Sequence, residues 1–251
     1  MSELNPRQFA VITGISSKLG MEMARQFASH GYDLLITSPS DGIANAEDDL
    51  RTYGTQVIGL EVKLETYRGT EKLYETIKSF NRPVDVLVMT CIDGVSGEFN
   101  ETALKREIHL INHNIVSVIH LTKLMLRDMM GEGQGKILLA SAFPAANSSP
   151  LETIYGASMA FLTSFVDSIQ HLARTNGVTV TTMIPVIGEE NQFENDVVAH
   201  AREGYEALVS GRSKVFEASL KNKLQNWANQ IIPDKIKTEF QRRVNEANSR
   251  Q

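Results

Sequence analysis

The sequence predicts an α/β protein: a doubly wound parallel sheet with helices on both faces, forming one domain over residues 1–251. Two observations carry this. Six short apolar runs, starting near residues 9, 33, 56, 84, 136 and 178, alternate with stretches of helical period. Such alternation belongs to parallel sheets joined by crossover helices. The first run also ends in a glycine-containing turn that leads directly into a helix. With 251 residues and 42% apolar composition, the chain is long enough to bury a full core without splitting.

Composition narrows the function classes. A formal charge of -5 and a pI near 5.7 give no electrostatic case for nucleic acid or an anionic membrane as partner. The single cysteine, Cys91, excludes an internal disulfide framework. No His/Cys group has zinc-ligand spacing, so no metal is expected. The opening Met-Ser-Glu-Leu-Asn-Pro-Arg lacks the basic end and apolar stretch of a signal peptide. No apolar run approaches the roughly eighteen residues needed to cross a bilayer. The expectation is a soluble, cytoplasmic protein.

Taken in order, Phe9 to Thr13 is a continuous apolar run of the kind buried on both faces of a parallel sheet. The turn Gly14-Ile15-Ser16-Ser17-Lys18-Leu19-Gly20 follows, then a helical stretch from Met21 to His30 closed by Gly31. Strand, glycine turn and helix make the first unit of a dinucleotide-binding (Rossmann) fold, in which a pyrophosphate sits at the helix N-terminus. Asp33 to Thr37 is the second strand. At its end, where an Asp for a ribose or an Arg for a 2′-phosphate commonly stands, the chain reads Ser38-Pro39-Ser40. Asp41-Gly42 is a turn opening a helix to about Tyr53, and nothing here chooses between NAD and NADP. Gln56 to Leu60 is the third strand, ending Glu61-Val62, and a helix over 69–80 puts Leu73 and Ile77 on one face.

Val84 to Thr90 is the fourth strand, and Cys91 beyond it reads as a buried apolar thiol. A long amphipathic pattern over 101–130 carries Ile108, Ile111, Ile115, Ile119 and Leu126, interrupted at Asn112-His113-Asn114. His109, His113 and His120 read as surface or core histidines. Gly135 to Ser141 is a buried strand, Pro144 to Pro150 a loop, and Tyr155 to Arg174 a helix stopped by Asn176-Gly177. Val178 to Ile184 is the sixth strand, and 191–210 is helical. Helical segments punctuated by Pro233 close the chain over 220–251.

Several of these stretches together resemble the short-chain dehydrogenase/reductase family. The family's first motif, Thr-Gly-x-x-x-Gly-x-Gly, is matched by Thr13, Gly14 and Gly20, with Lys18 in place of the middle glycine. The resemblance implies a cofactor site built from Gly14, Ser17, Lys18, Leu19, Gly20, Glu61 and Val62, where Glu61-Val62 stands for the family's Asp-Val or Asp-Leu at the adenine edge. The family's Asn-Asn-Ala-Gly after the fourth strand is replaced by Met89-Thr90-Cys91-Ile92, losing side chains that steady the central strands and cover the cofactor. The family's active-site Asn falls on Asn114, and its Tyr on Tyr155. Its Lys, four residues later, is Met159 here, and its Ser, thirteen residues before the Tyr, is Ala142, with Ser141 adjoining. After the sixth strand Pro185 is kept, but Val186 does not match the family's glycine-containing amide-binding turn. Residues 188–225 fall where relatives place a lid over the substrate.

In the family, Tyr moves a proton at the carbonyl or alcohol while hydride passes to or from the nicotinamide. Lys lowers the Tyr pKa and binds the nicotinamide ribose, and Ser polarises the substrate oxygen. A free Tyr has a pKa of about 10, so roughly one in a thousand is ionised at neutral pH, a cost of about 4 kcal/mol for chemistry that needs the phenolate. Reduction uses Tyr as an acid and suffers less. With Lys18, Pro39, 89–92, Ala142, Met159 and Val186 all departing, the leading expectation is a relative that has lost standard redox catalysis, a pseudoenzyme acting as partner subunit or non-redox ligand-binding protein. The alternative is an atypical NADP(H)-dependent short-chain carbonyl reductase that keeps Tyr155 as proton donor, with Asn114 and Ser141 as the other catalytic candidates. The expected cofactor is none, or weakly bound NADP(H)/NAD(H), with Kd weaker than about 0.1 mM, or about -5.5 kcal/mol. Expected partners are a second copy or an intact homologue, docked through the helices 101–130 and 153–175 as relatives do, besides a small-molecule ligand.

Overall fold

Side chains alternate along each strand, and in this chain both sets are apolar. Phe9, Val11, Leu35, Leu87, Ile137 and Leu139 pack to one side of the sheet, while Ala10, Ile12, Leu34, Ile36, Val88 and Leu138 pack to the other. The computed structural model describes residues 7–40, 42–90, 97–140, 153–184 and 190–216, the last stretch with side chains for 197–215. Contacts group the chain into two compact units, Met1–Val215 and Phe216–Gln251, and the account below concerns the first.

The strands are β1 (Phe9–Thr13), β2 (Asp33–Ser38), β3 (Val57–Glu61), β4 (Val86–Met89), β5 (Gly135–Ala140), β6 (Val178–Ile184) and β7 (Lys214–Phe216). They form one sheet in the order β3-β2-β1-β4-β5-β6-β7. The pairings from β3 through β6 are parallel, with Val11 opposite Leu35 on one side and Leu87 on the other, and Ile137 opposite both Leu87 and Val180. The six strands expected along the chain are all present. The three-residue β7 is an addition, too short to carry a period that could be read beforehand.

The helices are α1 (Lys18–Ser29), α2 (Ile43–Arg51), α3 (Tyr67–Ser79), α4 (Leu104–Ile111), α5 (Ser117–Glu132), α6 (Thr153–Thr175) and α7 (Glu190–Val209). One face of the sheet is covered by α3, α5 and α6 through Leu73, Ile77, Leu121, Met125, Leu162 and Val166. The other is covered by α1, α2 and α7 through Met23, Phe27, Leu50, Ala201 and Leu208. The long pattern read as one helix over 101–130 is two helices joined by a π-helical turn, Asn112–Val116, at the interruption seen in the sequence.

Within the stretch expected as a lid, α7 packs against α1 and forms part of a helical layer. Several other expectations lie outside the described residues: the turn at Asp41, the fate of Cys91 and Ile92, Ser141, Ala142 and the loop 144–150, Pro185 and Val186, the parts of the lid at 188–189 and 217–225, and the C-terminal helices 220–251.

One buried group ties this fold to pH. Tyr32 follows the left-handed Gly31 that ends α1 and stacks edge-on against Phe27 at 5.1 Å, with 5% of its surface exposed. Burial first, then the nearby Tyr205 and Asp85, push its phenol up to about 12. An unfolded tyrosine ionises near 10, so above that pH the unfolded state sheds a proton that the native state keeps. Stability from this group is therefore complete below about pH 10 and falls as pH rises toward 12, by at most about 3 kcal/mol at about 1.4 kcal/mol per unit. Urea midpoints at pH 9 and 11.5 are expected to differ more in the native protein than in Tyr32→Phe. Equal differences would refute this assignment.

Candidate cofactor cleft and active site

The order of strands reverses between β1 and β4: the chain leaves β1 toward β2 and returns to place β4 on the other side. The carboxyl ends of these two strands flank this switch point, the place where open α/β sheets bind ligands. Here the glycine turn is built as a compact node. Gly14 takes a left-handed φ of 75°, and its carbonyl accepts from the Ser17 hydroxyl at 2.8 Å and from the Ser17 N–H at 3.0 Å. The same Ser17 oxygen accepts the Gly20 N–H at 3.0 Å, capping α1. Gly20 lies so close to the turn that a Cβ there would sit 2.2 Å from the Gly14 oxygen and 2.7 Å from Thr90 Oγ1.

Thr90 completes the node. Its buried hydroxyl donates to the Thr13 carbonyl at 2.8 Å, tying the end of β4 to the end of β1. This corrects the expectation that departure from the family's Asn-Asn-Ala-Gly leaves the central strands unsteadied, because Thr90 makes the link. A short polar side chain directly after a buried strand was the available signal.

A cleft of about 80 Å³ opens beside the node, lined among others by Gly14, Ser17, Pro39, Val62, Thr90 and His113. Of the residues expected at a cofactor, Gly14, Ser17 and Val62 meet here, and Gly20 stands behind them. Lys18 is the exposed first residue of α1, and the Leu19 side chain is buried in the core. Glu61 lines a neighbouring pocket that shares Pro39 and Val62 with this cleft. His113, read as a surface or core residue, is instead half-buried in the cleft wall, with its Nδ1 3.2 Å from Asn114 Oδ1. His120 pairs with Glu71 at 2.6 Å and stacks on Tyr67, away from the cleft. Among the described residues no group of three His, Cys, Asp or Glu side chains could hold a metal.

Asn114 is fully buried in the π-helical turn, which packs against α6. The turn breaks the regular i to i-4 ladder at the position where the family resemblance places its active-site Asn. On α6, Tyr155 is half-buried and packs against the apolar cluster that encloses Met159 and Leu162. Met159 is 0% exposed. The position that would carry an ammonium is therefore part of the core.

These residues fit one half of a dinucleotide. The node offers a capped helix N-terminus and close backbone approach for phosphates, and Pro39 and Val62 offer apolar walls for an adenosine. The ribose contact of the nicotinamide half has no counterpart at Met159.

Comparison with known proteins agrees with this architecture. Residues 8–197 match the family described as short chain dehydrogenase. The chain belongs to the short-chain dehydrogenase family. It is 26% identical over 186 residues to the very-long-chain 3-oxoacyl-CoA reductase of Mycosarcoma maydis, a match covering 72% of this chain and 53% of the relative. It is 28% identical over 181 residues to the 3-oxoacyl-(acyl-carrier-protein) reductase of Haemophilus influenzae, covering 71% and 73%. The matches thus span little more than half of several curated relatives. Among solved structures, a short-chain dehydrogenase from Sphingobium yanoikuyae in complex with NADPH aligns with a TM-score of 0.76 at 18% identity, covering 89% of this chain and 94% of that one. A bulky-bulky ketone specific alcohol dehydrogenase from Comamonas testosteroni aligns with a TM-score of 0.76 at 19% identity, covering 90% and 93%. At these identities the structural likeness establishes the fold. No described helix is long and apolar enough to cross a membrane.

Proposed function

We propose that the chain is an NADP(H)-dependent short-chain oxidoreductase that works in the carbonyl-reducing direction, with Tyr155 as proton donor. The observation that carries this reading is the intact node of Gly14, Ser17, Gly20 and Thr90 at the switch point, because the hydroxyl cap and glycine contact present a helix N-terminus to a phosphate. The reductase relatives support it. When bound, a reduced nicotinamide supplies the hydride. The protein's part is to hold the phosphates on the α1 N-terminus and to deliver a proton from the Tyr155 phenol to the carbonyl oxygen as that oxygen becomes an alkoxide. A phenol is protonated at neutral pH, so Tyr155 starts in the state that reduction needs. Met159 offers the resulting phenolate no charge, so turnover is slow and the reverse oxidation slower still. The test is NADPH consumption against a panel of ketones and 3-oxoacyl thioesters, with titration of NADPH in parallel.

One observation favours a second reading, a family member that binds a nucleotide or other anion without turning it over. Met159 is sealed among apolar side chains, which closes the usual route to an activated Tyr. Nucleotide binding without consumption of NADPH under any substrate would favour this reading over the first.

Self-association, or pairing with an intact relative, is part of the proposal. It is supported by Leu104, 70% exposed, and Ile108, 49% exposed, on α4, with Val116 on the π turn and Phe161 on α6 also exposed. Light scattering is expected to report a dimer or larger species at micromolar concentration. Leu104→Glu combined with Ile108→Glu is expected to yield a monomer, whereas a monomeric parent protein would overturn the idea.

A further inference from the structure

The end of β2, where a cofactor-choosing charge is usually sought, carries only Ser38, Pro39 and Ser40, with the Ser40 N–H turned back onto the Ser38 hydroxyl at 3.4 Å. The cations are elsewhere. A pocket of about 230 Å³ lies at the end of β3 and is lined by Pro39, Glu61, Val62, Lys63, Arg68 and Lys72. Three of these are cationic against one carboxylate. Arg68 and Lys72 are one turn apart on α3 and so share a face. Lys63 is brought beside them because Gly69 sits directly against the Lys63 carbonyl, where a Cβ would come within 1.9 Å.

Among the described residues, no carboxylate lies within ion-pair distance of Lys63, Arg68 or Lys72; Lys72 reaches only the Glu61 carbonyl, at 3.4 Å. Other surface cations, such as Arg25, Lys78 and Arg82, are paired. Like charges gathered without counter-ions repel one another unless an anion joins them. The pocket also shares Pro39 and Val62 with the cleft beside the Gly14 node. The two pockets therefore adjoin along Pro39 and Val62, with the α1 N-terminus beside the first and the cation cluster lining the second. A molecule spanning both needs a phosphate at the first end, a flat apolar body in the middle and a second anion at the far end.

We propose that Lys63, Arg68 and Lys72 form the subsite for the 2′-phosphate of NADP(H), selecting it over NAD(H) from α3 instead of from the end of β2. This rests on the proposed dinucleotide-dependent function and specifies its cofactor. A guanidinium flanked by two ammonium groups suits a phosphate dianion, and the exposure of all three makes the preference sensitive to salt.

The test is calorimetric titration of the full chain with 2′,5′-ADP, 3′,5′-ADP, 5′-AMP and inorganic phosphate, none of which requires turnover. The expected result is at least tenfold tighter binding of 2′,5′-ADP than of 5′-AMP, shrinking to less than threefold when Arg68→Gln and Lys72→Gln are combined. Binding of 5′-AMP is expected to stay within twofold in that variant. Equal affinity for 2′,5′-ADP and 5′-AMP in the parent protein would overturn the proposal, as would a preference that survives the double substitution. Equal or tighter binding of 3′,5′-ADP would assign the pocket to a coenzyme A-type nucleotide, and phosphate competing as well as 2′,5′-ADP would reduce it to a general anion patch; either outcome overturns the proposal. The two proposals fail separately. A 2′-phosphate preference without carbonyl reduction removes the reductase reading alone, and equal turnover with NADH and NADPH removes this subsite alone.

Discussion

Tyr155→Phe is expected to lower NADPH-dependent carbonyl reduction at least a hundredfold while leaving nucleotide affinity within twofold. Positioned general acids commonly contribute 10²–10⁴ in rate, and the substitution deletes only the donating oxygen. The ring keeps its packing against the cluster around Met159 and Leu162, so stability should change by less than about 1 kcal/mol. The effect belongs in kcat, since the proton is needed in the transition state and not for binding. Steady-state kinetics with a saturating ketone, beside a melting curve, checks both parts. A variant that keeps more than a third of the parent rate would show that the proton comes from elsewhere, and the role assigned to Tyr155 would fall.

Gly20→Ala is expected to destabilise the protein by about 2 kcal/mol and to weaken nucleotide binding at least tenfold. The new methyl would stand 2.2 Å from a backbone oxygen, Gly14 O, and 2.7 Å from Thr90 Oγ1, which is itself engaged with Thr13. Neither neighbour is the free end of a flexible chain, so α1 must move off the turn. Overpacking of this kind costs about 1–3 kcal/mol or more, against which the better helix propensity of Ala returns about 1 kcal/mol. For a chain of this size about 2 kcal/mol corresponds to a fall in Tm of roughly 4–8 °C. Gly131→Ala in α5 is the control: a Cβ there meets nothing within 4 Å. That control should be neutral or stabilising by up to about 1 kcal/mol. Equal melting temperatures for the two variants would refute the close packing of α1 on the turn.

The sheet was legible because its signal is local. Each of the six expected strands is a short apolar run bounded by turn residues, and helices with clear stripes lie between most of them. The node was half legible: Gly14 and Gly20 announce themselves, but Thr90 reads as an unremarkable residue until the fold brings it 77 positions back to Thr13. Met159 was legible as a missing lysine and as one of the apolar residues along its helix, but that the core closes over it completely depends on how α6 packs on the sheet. The cations of the β3–α3 pocket were open to a partial reading. Arg68 and Lys72 have helical spacing, but Lys63 joins them only through the Gly69 contact, and Pro39 only through sheet order. His113 was missed because a histidine beside an interrupted helix has no pattern that tells wall from surface.

The π-helical turn at Asn112–Val116 makes chain length the quantity under constraint in this part of the molecule. Each residue advances an α-helix by about 100°, so the wider turn sets the faces of α4 and α5 out of phase with those of one continuous helix. Removing any one residue between 112 and 116 would let the two segments fuse into a regular helix with every backbone hydrogen bond intact. The fused helix would be locally more regular and globally wrong. With α5 anchored by Leu121 and Met125, α4 would rotate by roughly a quarter turn, lifting Leu110 and the buried Glu107 from their packing. Substitutions in this stretch are therefore graded by what each side chain touches, whereas a single deletion acts on every contact of α4 together.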